Sequence, residues 1–382
     1  MGLVERRLDS TTRAQLAATR APLQRASHAP GFIYTSPEVY AAEKERIWMT
    51  DWIAVARVEE LAKPGDYMAL RIVDEPLLLT RDAEGRIHGF ANVCAHRGVE
   101  VATGSGNTKE FMCPYHGWLY GLDGHLLGAP YMKEAEGFDP KTCRLPAVHC
   151  DVWQGWVFVN FSATPEPLAD FVADFNADFG FIRQQDLAIA AKLDIVLDCN
   201  WKLVVENAMD KYHIGTIHSA TLGYGVDHTA VEFWLKRRGM YGTFFSFAPR
   251  FNNHRPLFDQ TMDSLKDKPL DFAGASFMAP NFQQYYYCDN VECLTYWPLG
   301  VDKTRLYAYL LFPKACLNHP EFASRIKQYT DTETRVFEED RALVQSLQRG
   351  VASRMFQPGR LCRMEEPIHN VINNYSERMF GA

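Results

Sequence analysis

CAHRGVEVATGSGNTKEFMCPYHGW, residues 94–118, carries two cysteines and two histidines in two short clips, Cys94-Ala-His96 and Cys113-Pro-Tyr-His116. Thiolates suit zinc or iron–sulfur clusters, and imidazoles suit zinc, copper or iron. A structural Cys2His2 zinc site would draw all four ligands around one ion, commonly with the second pair on a helix. Here each clip runs Cys then His among glycine and aromatic residues. That order also suits two sulfide-bridged irons, one held by both thiolates and the other by both imidazoles, with a raised reduction potential. The segment alone leaves both readings open. His88, His125 and His149 read as ordinary loop or strand residues.

Outward from this stretch the texture is β-rich. GDYMALRIV, EPLLLT and RIHGFANV read as strands, with RDAEGR as a hairpin turn and Asp123-Gly124 as another. DVWQGWVFVNF closes the region as a buried strand. Before it, Ser36-Pro37 predicts a capped helix start, and the Pro-bearing SATPEPLAD at 162–170 predicts a domain boundary. Beyond lie a helical stretch, the aromatic strand VEFWLKRRGMYGTFFSFAPRF, a hairpin of ECLTYWPLG with TRLYAYLLFPK, and a long helix from about Pro320 to Arg349. The layout is α+β: a helical segment over 1–48, an all-β domain over 49–162, and a larger domain with an antiparallel sheet over 163–382.

The charge of −7 over 382 residues excludes a basic nucleic-acid footprint, and the Lys-Arg-Arg run at 236–238 reads as a solvated strand end. No apolar run reaches the ~20 residues of a membrane helix, and the N-terminus has no apolar signal core. Nine scattered cysteines argue for a reducing compartment, so a cytoplasmic location is expected.

A second cluster follows in NWKLVVENAMDKYHIGTIHSATL, residues 200–222. At about 100° per residue, Asp210 and His213 lie about 60° apart on a helix, but His213 and His218 about 140° apart. A π-bulge or kink near Gly215 is therefore predicted if both histidines bind one ion. Two neutral histidines and a carboxylate make the facial triad of non-haem Fe(II) oxygenases. In VFEEDRALVQSLQRG, residues 336–350, Val336, Phe337, Leu343, Val344 and Leu347 all project within about 60° of Asp340. An acid in an apolar stripe is costly unless paired or metal-bound, so Asp340 is the expected third ligand. Glu338 and Glu339 project toward solvent.

CAHRG followed by CPYHGW resembles the Rieske [2Fe–2S] motif, including its flanking Arg-Gly and Gly-Trp. That resemblance assigns Cys94 and Cys113 to one iron and His96 and His116 to the other. NWKLVVEN and the following Asp-x2-His-x4-His resemble the catalytic domain of Rieske non-haem iron ring-hydroxylating oxygenase α-subunits, over residues 35–382. The resemblance implies a helix-grip (START-like) catalytic domain and a mononuclear Fe(II) at His213, His218 and Asp340. It also implies O2 as cosubstrate and a head-to-tail homotrimer. Electrons would pass from one subunit's cluster to the next subunit's iron through a bridging carboxylate, which Asp210 matches. Asn207 would border the pocket, although many aromatic dioxygenases have one more residue between that Asn and the bridging Asp.

No Gly-rich dinucleotide fingerprint is present, so NAD(P)H is expected to bind a separate reductase, with a ferredoxin and a small β-subunit as further candidate partners. The expected activity is mono- or dioxygenation. An aromatic substrate is the first expectation, from the aromatic runs at 233–235, 285–287, 296–297, 307 and 309. Arg250 or an arginine of the 236–238 run would hold a carboxylate. A betaine- or carnitine-like quaternary ammonium is the alternative. The relatives that demethylate such compounds usually carry Glu-Cys-Tyr-His where this chain has Asp210-Lys-Tyr-His. A pure electron-transfer protein or a hydrophobe-binding module would leave His213, His218 and Asp340 unexplained.

Overall fold

The computed structural model describes residues 10–222, 232–249, 251 and 253–381. It divides into two compact units, Trp48–Phe171 and the combination of Met1–Ile47 with Val172–Ala382. The division falls beyond the proline-bearing stretch near 162. The short helix Leu168–Phe171 packs on the strand Ala147–Trp153 of the first unit, burying Leu168 and Phe171.

The first unit holds a seven-stranded sheet and a small three-stranded sheet. In the larger sheet, Glu75–Arg81 pairs antiparallel with Asp66–Ile72 on one side and Ile87–Ala91 on the other. The RDAEGR turn joins two of these strands as the sequence predicts. Asp82 closes it by accepting from the Arg86 backbone N–H at 2.8 Å and facing His88 Nε2 at 2.7 Å. The three-stranded sheet, Glu110–Met112, Leu119–Gly121 and Leu126–Gly128, presents the second Cys/His clip as the turn of its first hairpin. Leu78, Phe90, Phe111, Trp118, Tyr120 and Leu145 form the core behind both clips.

The second unit is built on a seven-stranded antiparallel sheet running spatially from Leu187–Leu197 through Lys303–Pro313 and Val291–Gly300 to the edge strand Phe233–Leu235. Along these strands alternate residues face opposite sides. Glu292 and Leu294 therefore line one cavity together, joined by Phe245 and Tyr285 and by Phe247 and Tyr287 one residue beyond the ends of their strands. The helix Trp201–Met209 starts on Asn200, whose side chain accepts from the Lys202 N–H, satisfying one of the helix's unpaired first-turn donors. The long helix Phe322–Val351 packs along the strand Leu187–Leu197 and the helix Trp201–Met209.

Ser36 caps the helix Pro37–Glu43 by accepting from the Val39 N–H, as its sequence predicts. That helix belongs to the second unit, where Glu43 is fully buried against Lys202 and Tyr375. A final helix, Glu366–Phe380, was not separated by the sequence reading. Its buried Ile368, Ile372, Tyr375 and Met379 follow the helical period that would have revealed it. None of the helices among the described residues is long and apolar enough to cross a membrane.

Candidate functional site

The two clips of the first unit are near copies of one another. Gly98 N–H donates to Cys94 C=O at 2.9 Å, and Gly117 N–H donates to Cys113 C=O at 3.0 Å. Each turn ends on a glycine with positive φ, +79° at Gly98 and +71° at Gly117, a conformation that a side chain strains. Cys94 and Cys113 are buried, while the rings of His96 and His116 meet edge-on with centroids 4.6 Å apart. Trp118 stacks on His96 at 4.7 Å, within 4° of parallel, and fixes that ring. Nδ1 of His96 is buried without a hydrogen-bond partner. Burial pushes the Cys113 thiol up, a penalty that a bound cation relieves.

A single zinc would hold its four ligand atoms ~3.4–3.8 Å apart. Among the described residues, however, the one set of three His, Cys, Asp or Glu whose ligand atoms all lie within 4.8 Å lies in the other unit. The two-thiolate, two-imidazole set thus fits a pair of irons rather than one ion. Tyr120, which the sequence reading passed over, is fully buried. Its hydroxyl accepts from the Ala95 N–H at 3.1 Å and lies 3.2 Å from Cys94 Sγ, placed to donate to the thiolate. Hydrogen bonds to cluster sulfurs tune the reduction potential.

In the second unit His213, His218 and Asp340 converge as the sequence predicts. The two Nε2 atoms are 3.1 Å apart, and Asp340 Oδ1 is 3.1 Å from His218 Nε2 and 3.5 Å from His213 Nε2. Ligands at right angles about a metal ~2.1 Å away sit ~3.0 Å from each other, so this triangle fits one face of an octahedron.

Of the two alternatives expected near Gly215, the chain takes the kink and not the bulge. There is no π-bulge. The helix stops at Met209, residues 211–213 form a bend, and a single turn, Ile214–Ile217, separates the two histidines. The bend falls just before Gly215, and His213 and His218 then flank one short helical turn as its N- and C-terminal caps.

Of the outer nitrogens, that of His218 is hydrogen-bonded and that of His213 faces a carboxylate without a hydrogen bond. His218 Nδ1 is 2.7 Å from Glu339 Oε2, which accepts from Thr221 Oγ1 as well. Projection had sent Glu339 to solvent, yet it reaches inward beside Asp340, while Glu338 pairs with Arg341. Leu347, projected onto the apolar stripe, is 47% exposed. His213 Nδ1 lies 3.3 Å from Asp210 Oδ2, and Asp210 Oδ1 accepts from the Tyr212 N–H at 2.7 Å. Burial lowers the His213 imidazole, but Asp210 and Asp340 outweigh it and raise the ring to about 9. Burial likewise raises the Asp340 carboxyl, but His213 and His218 hold it down at about 2. The carboxylate demands positive charge, which a divalent cation supplies.

Beside the triad lies a cavity of about 110 Å³, against the ~10–15 Å³ that one water needs. Five aromatic rings, Phe245, Phe247, Tyr285, Tyr287 and Phe337, form much of its wall. Of the aromatic runs singled out in sequence, only Tyr285 and Tyr287 are among its described lining residues. Asn207 and Asp210 border it, as expected. Two carboxylates were missed: Glu292 at 4% exposure and Glu333 at 3% both line it. Glu292 had a signal, an acid inside the otherwise apolar strand VECLTYWPLG. Arg237 pairs with Asp174 and Lys236 with Asp178, outside the cavity, and Arg250 lies outside the described residues. Lys211 also lines the cavity, its Nζ 3.9 Å from the centroid of Phe245. Burial lowers its ammonium to about 7 against the opposing pull of Asp210.

Residues 184–381 match the ring hydroxylating alpha subunit (catalytic domain) family. The chain belongs to that family. Residues 51–146 match the Rieske [2Fe–2S] domain, so this Rieske oxygenase α-subunit carries both an iron–sulfur and a mononuclear iron module. It is 29% identical to the carnitine monooxygenase oxygenase subunit of Acinetobacter baumannii, over 86% of each chain. With the chloroplastic choline monooxygenase of Arabidopsis thaliana it shares 27% identity, over 92% of this chain and 82% of that one. A solved quaternary ammonium Rieske monooxygenase, described for carnitine oxidation and inter-subunit electron transfer, superposes with a TM-score of 0.77 at 26% identity, covering 96% of each chain.

Proposed function

We propose that this oxygenase acts on a quaternary ammonium compound, hydroxylating it or removing an N-methyl group oxidatively, rather than on an aromatic hydrocarbon. The observation that carries the proposal is the cavity itself: aromatic side chains on several sides, with the buried carboxylates of Glu292 and Glu333 among them. A quaternary nitrogen has no N–H to donate, so it is held by ring faces and by negative charge. A neutral aromatic ring gains nothing from two buried acids, whose desolvation is costly. The carnitine and choline monooxygenases among the relatives support the same choice.

In this reading Cys94 and Cys113 hold one cluster iron, His96 and His116 the other, and His213, His218 and Asp340 hold the mononuclear iron. That iron supplies O2 activation, with electrons from a separate NAD(P)H-dependent reductase. The chain's own residues do the rest. The rings exclude water and orient the substrate, Glu339 fixes the tautomer of His218, and Asp210 holds His213. In a head-to-tail homotrimer, Asp210 would also accept a hydrogen bond from a cluster histidine of the neighbouring subunit and so carry the electron path.

The test is turnover by the purified oxygenase with a surrogate reductase on carnitine, glycine betaine, choline and benzoate. NADH consumption matched by product on at least one trimethylammonium compound, with none on benzoate, is expected. Hydroxylated benzoate with silence on all three ammonium compounds would restore the aromatic reading.

A further inference from the structure

Lys211 has no role in the chemistry described so far. It sits on the bend between the helix Trp201–Met209 and the ligand His213, it is only 4% exposed, and it lines the cavity. It is the one lysine or arginine among the described lining residues. Its Nζ rests on the face of Phe245, and among the described residues it makes no hydrogen bond and no ion pair. The adjacent Asp210 is turned instead toward the Tyr212 N–H and His213. A buried ammonium without an acceptor is costly, so the position makes sense if the acceptor arrives with a ligand.

The acids of the same cavity lie on other elements. Glu292 is on the strand Val291–Gly300 and Glu333 on the helix Phe322–Val351. Besides Asp210 and Asp340 of the candidate iron site, the cavity therefore presents one cationic group and two acidic ones from different walls, a pattern that fits a molecule bearing both charges.

We propose that Lys211 receives a carboxylate of the substrate, so that the natural substrate carries an anionic end, as a betaine does. The inference rests on the cavity being the substrate site and deepens the quaternary ammonium reading. It separates betaines from choline, which ends in an alcohol.

The test is equilibrium binding to the metal-loaded enzyme by calorimetry, with two matched pairs of probes. Glycine betaine and choline differ only in carboxylate against alcohol, as do benzoate and benzyl alcohol. Lys211→Met should weaken the preferred carboxylate by about 10- to 100-fold, the range of one charge-assisted hydrogen bond, and its alcohol partner by at most about threefold. Lys211→Arg should retain most of the carboxylate affinity, which controls for folding.

An equal loss for both members of a pair would mean that Lys211 supports its surroundings and not the ligand. Failure of the wild type to bind either carboxylate would also overturn the proposal. Benzoate binding that depends on Lys211, with no binding of either ammonium compound, would uphold the lysine assignment while removing the quaternary ammonium reading.

Discussion

The helix Trp201–Met209 borders two polar clusters that look alike in composition and behave oppositely. At its start, Glu43 accepts from Lys202 Nζ, from Tyr375 Oη at 2.6 Å and from Trp201 Nε1 at 2.8 Å. One turn on, Glu206 accepts from Tyr34 Oη at 2.8 Å and faces His28 Nε2 at 2.9 Å. Every donor meets an acceptor, and burial pressing the Lys202 ammonium down is opposed by Glu43. Beyond its C-terminal end, His213, His218 and Asp340 turn three lone-pair atoms toward one point. Their outer nitrogens face Asp210 and Glu339, so the inner atoms form a ligand set with carboxylate charge on more than one side. Balanced donors and acceptors mark a cluster that holds the fold; converging ligand atoms mark a candidate metal site.

The largest expected effect tests the second half of that contrast. Asp340→Ala should lower iron from about three to about two per chain, with about two sulfides retained, and abolish turnover. Asp210→Ala should keep all the iron yet lose at least about 100-fold in turnover. Metal analysis showing three irons in the Asp340 variant would break the triad assignment.

Next in size comes the first cluster. Glu43→Ala leaves Lys202 buried without its counter-charge and should destabilise the catalytic unit by about 3–5 kcal/mol, read from denaturant unfolding. Glu43→Leu combined with Lys202→Met should recover most of that loss, because it removes both charges. If the single and double variants are equally unstable, the cluster is not held by charge pairing.

Glu339→Ala should have the smallest effect. Releasing His218 Nδ1 is expected to weaken the mononuclear iron by about 10- to 100-fold in a chelator competition while leaving the sulfide content alone. An unaltered iron affinity would place Glu339 with Glu338 and Arg341 as a surface group.

Much of both metal sites was legible in the chain because their ligands are local. Cys94 and His96, Cys113 and His116, and His213 and His218 are close in sequence, and the turns between them leave little freedom. Asp340 was legible for another reason, as a charge interrupting an apolar helical stripe. Glu339 was not, because helical projection assigns a direction from the axis and takes no account of what stands opposite. His218 and Thr221 stand opposite it and draw the side chain in. The sequence left a π-bulge and a kink near Gly215 both open for a related reason: the i,i+5 spacing requires a break from regular helix but does not say which kind the chain will take, and the chain takes a bend at 211–213. Lys211 stood out in the sequence only as a departure from Glu-Cys-Tyr-His, and Glu43 drew no reading of its own.

The sequence by itself singled out the two candidate ligand sets and the order of the two family domains, since each rests on spacing of a few residues or on strand and helix periods. Tertiary structure alone decided the substrate cavity. Its walls bring together residues from 207 to 340, and whether a ring, an acid or a lysine faces that space depends on strand register and helix packing across more than a hundred residues. Short-range geometry is written in the chain; the charge of a pocket is a long-range sum that appears only once the sheet and the helices have closed around it.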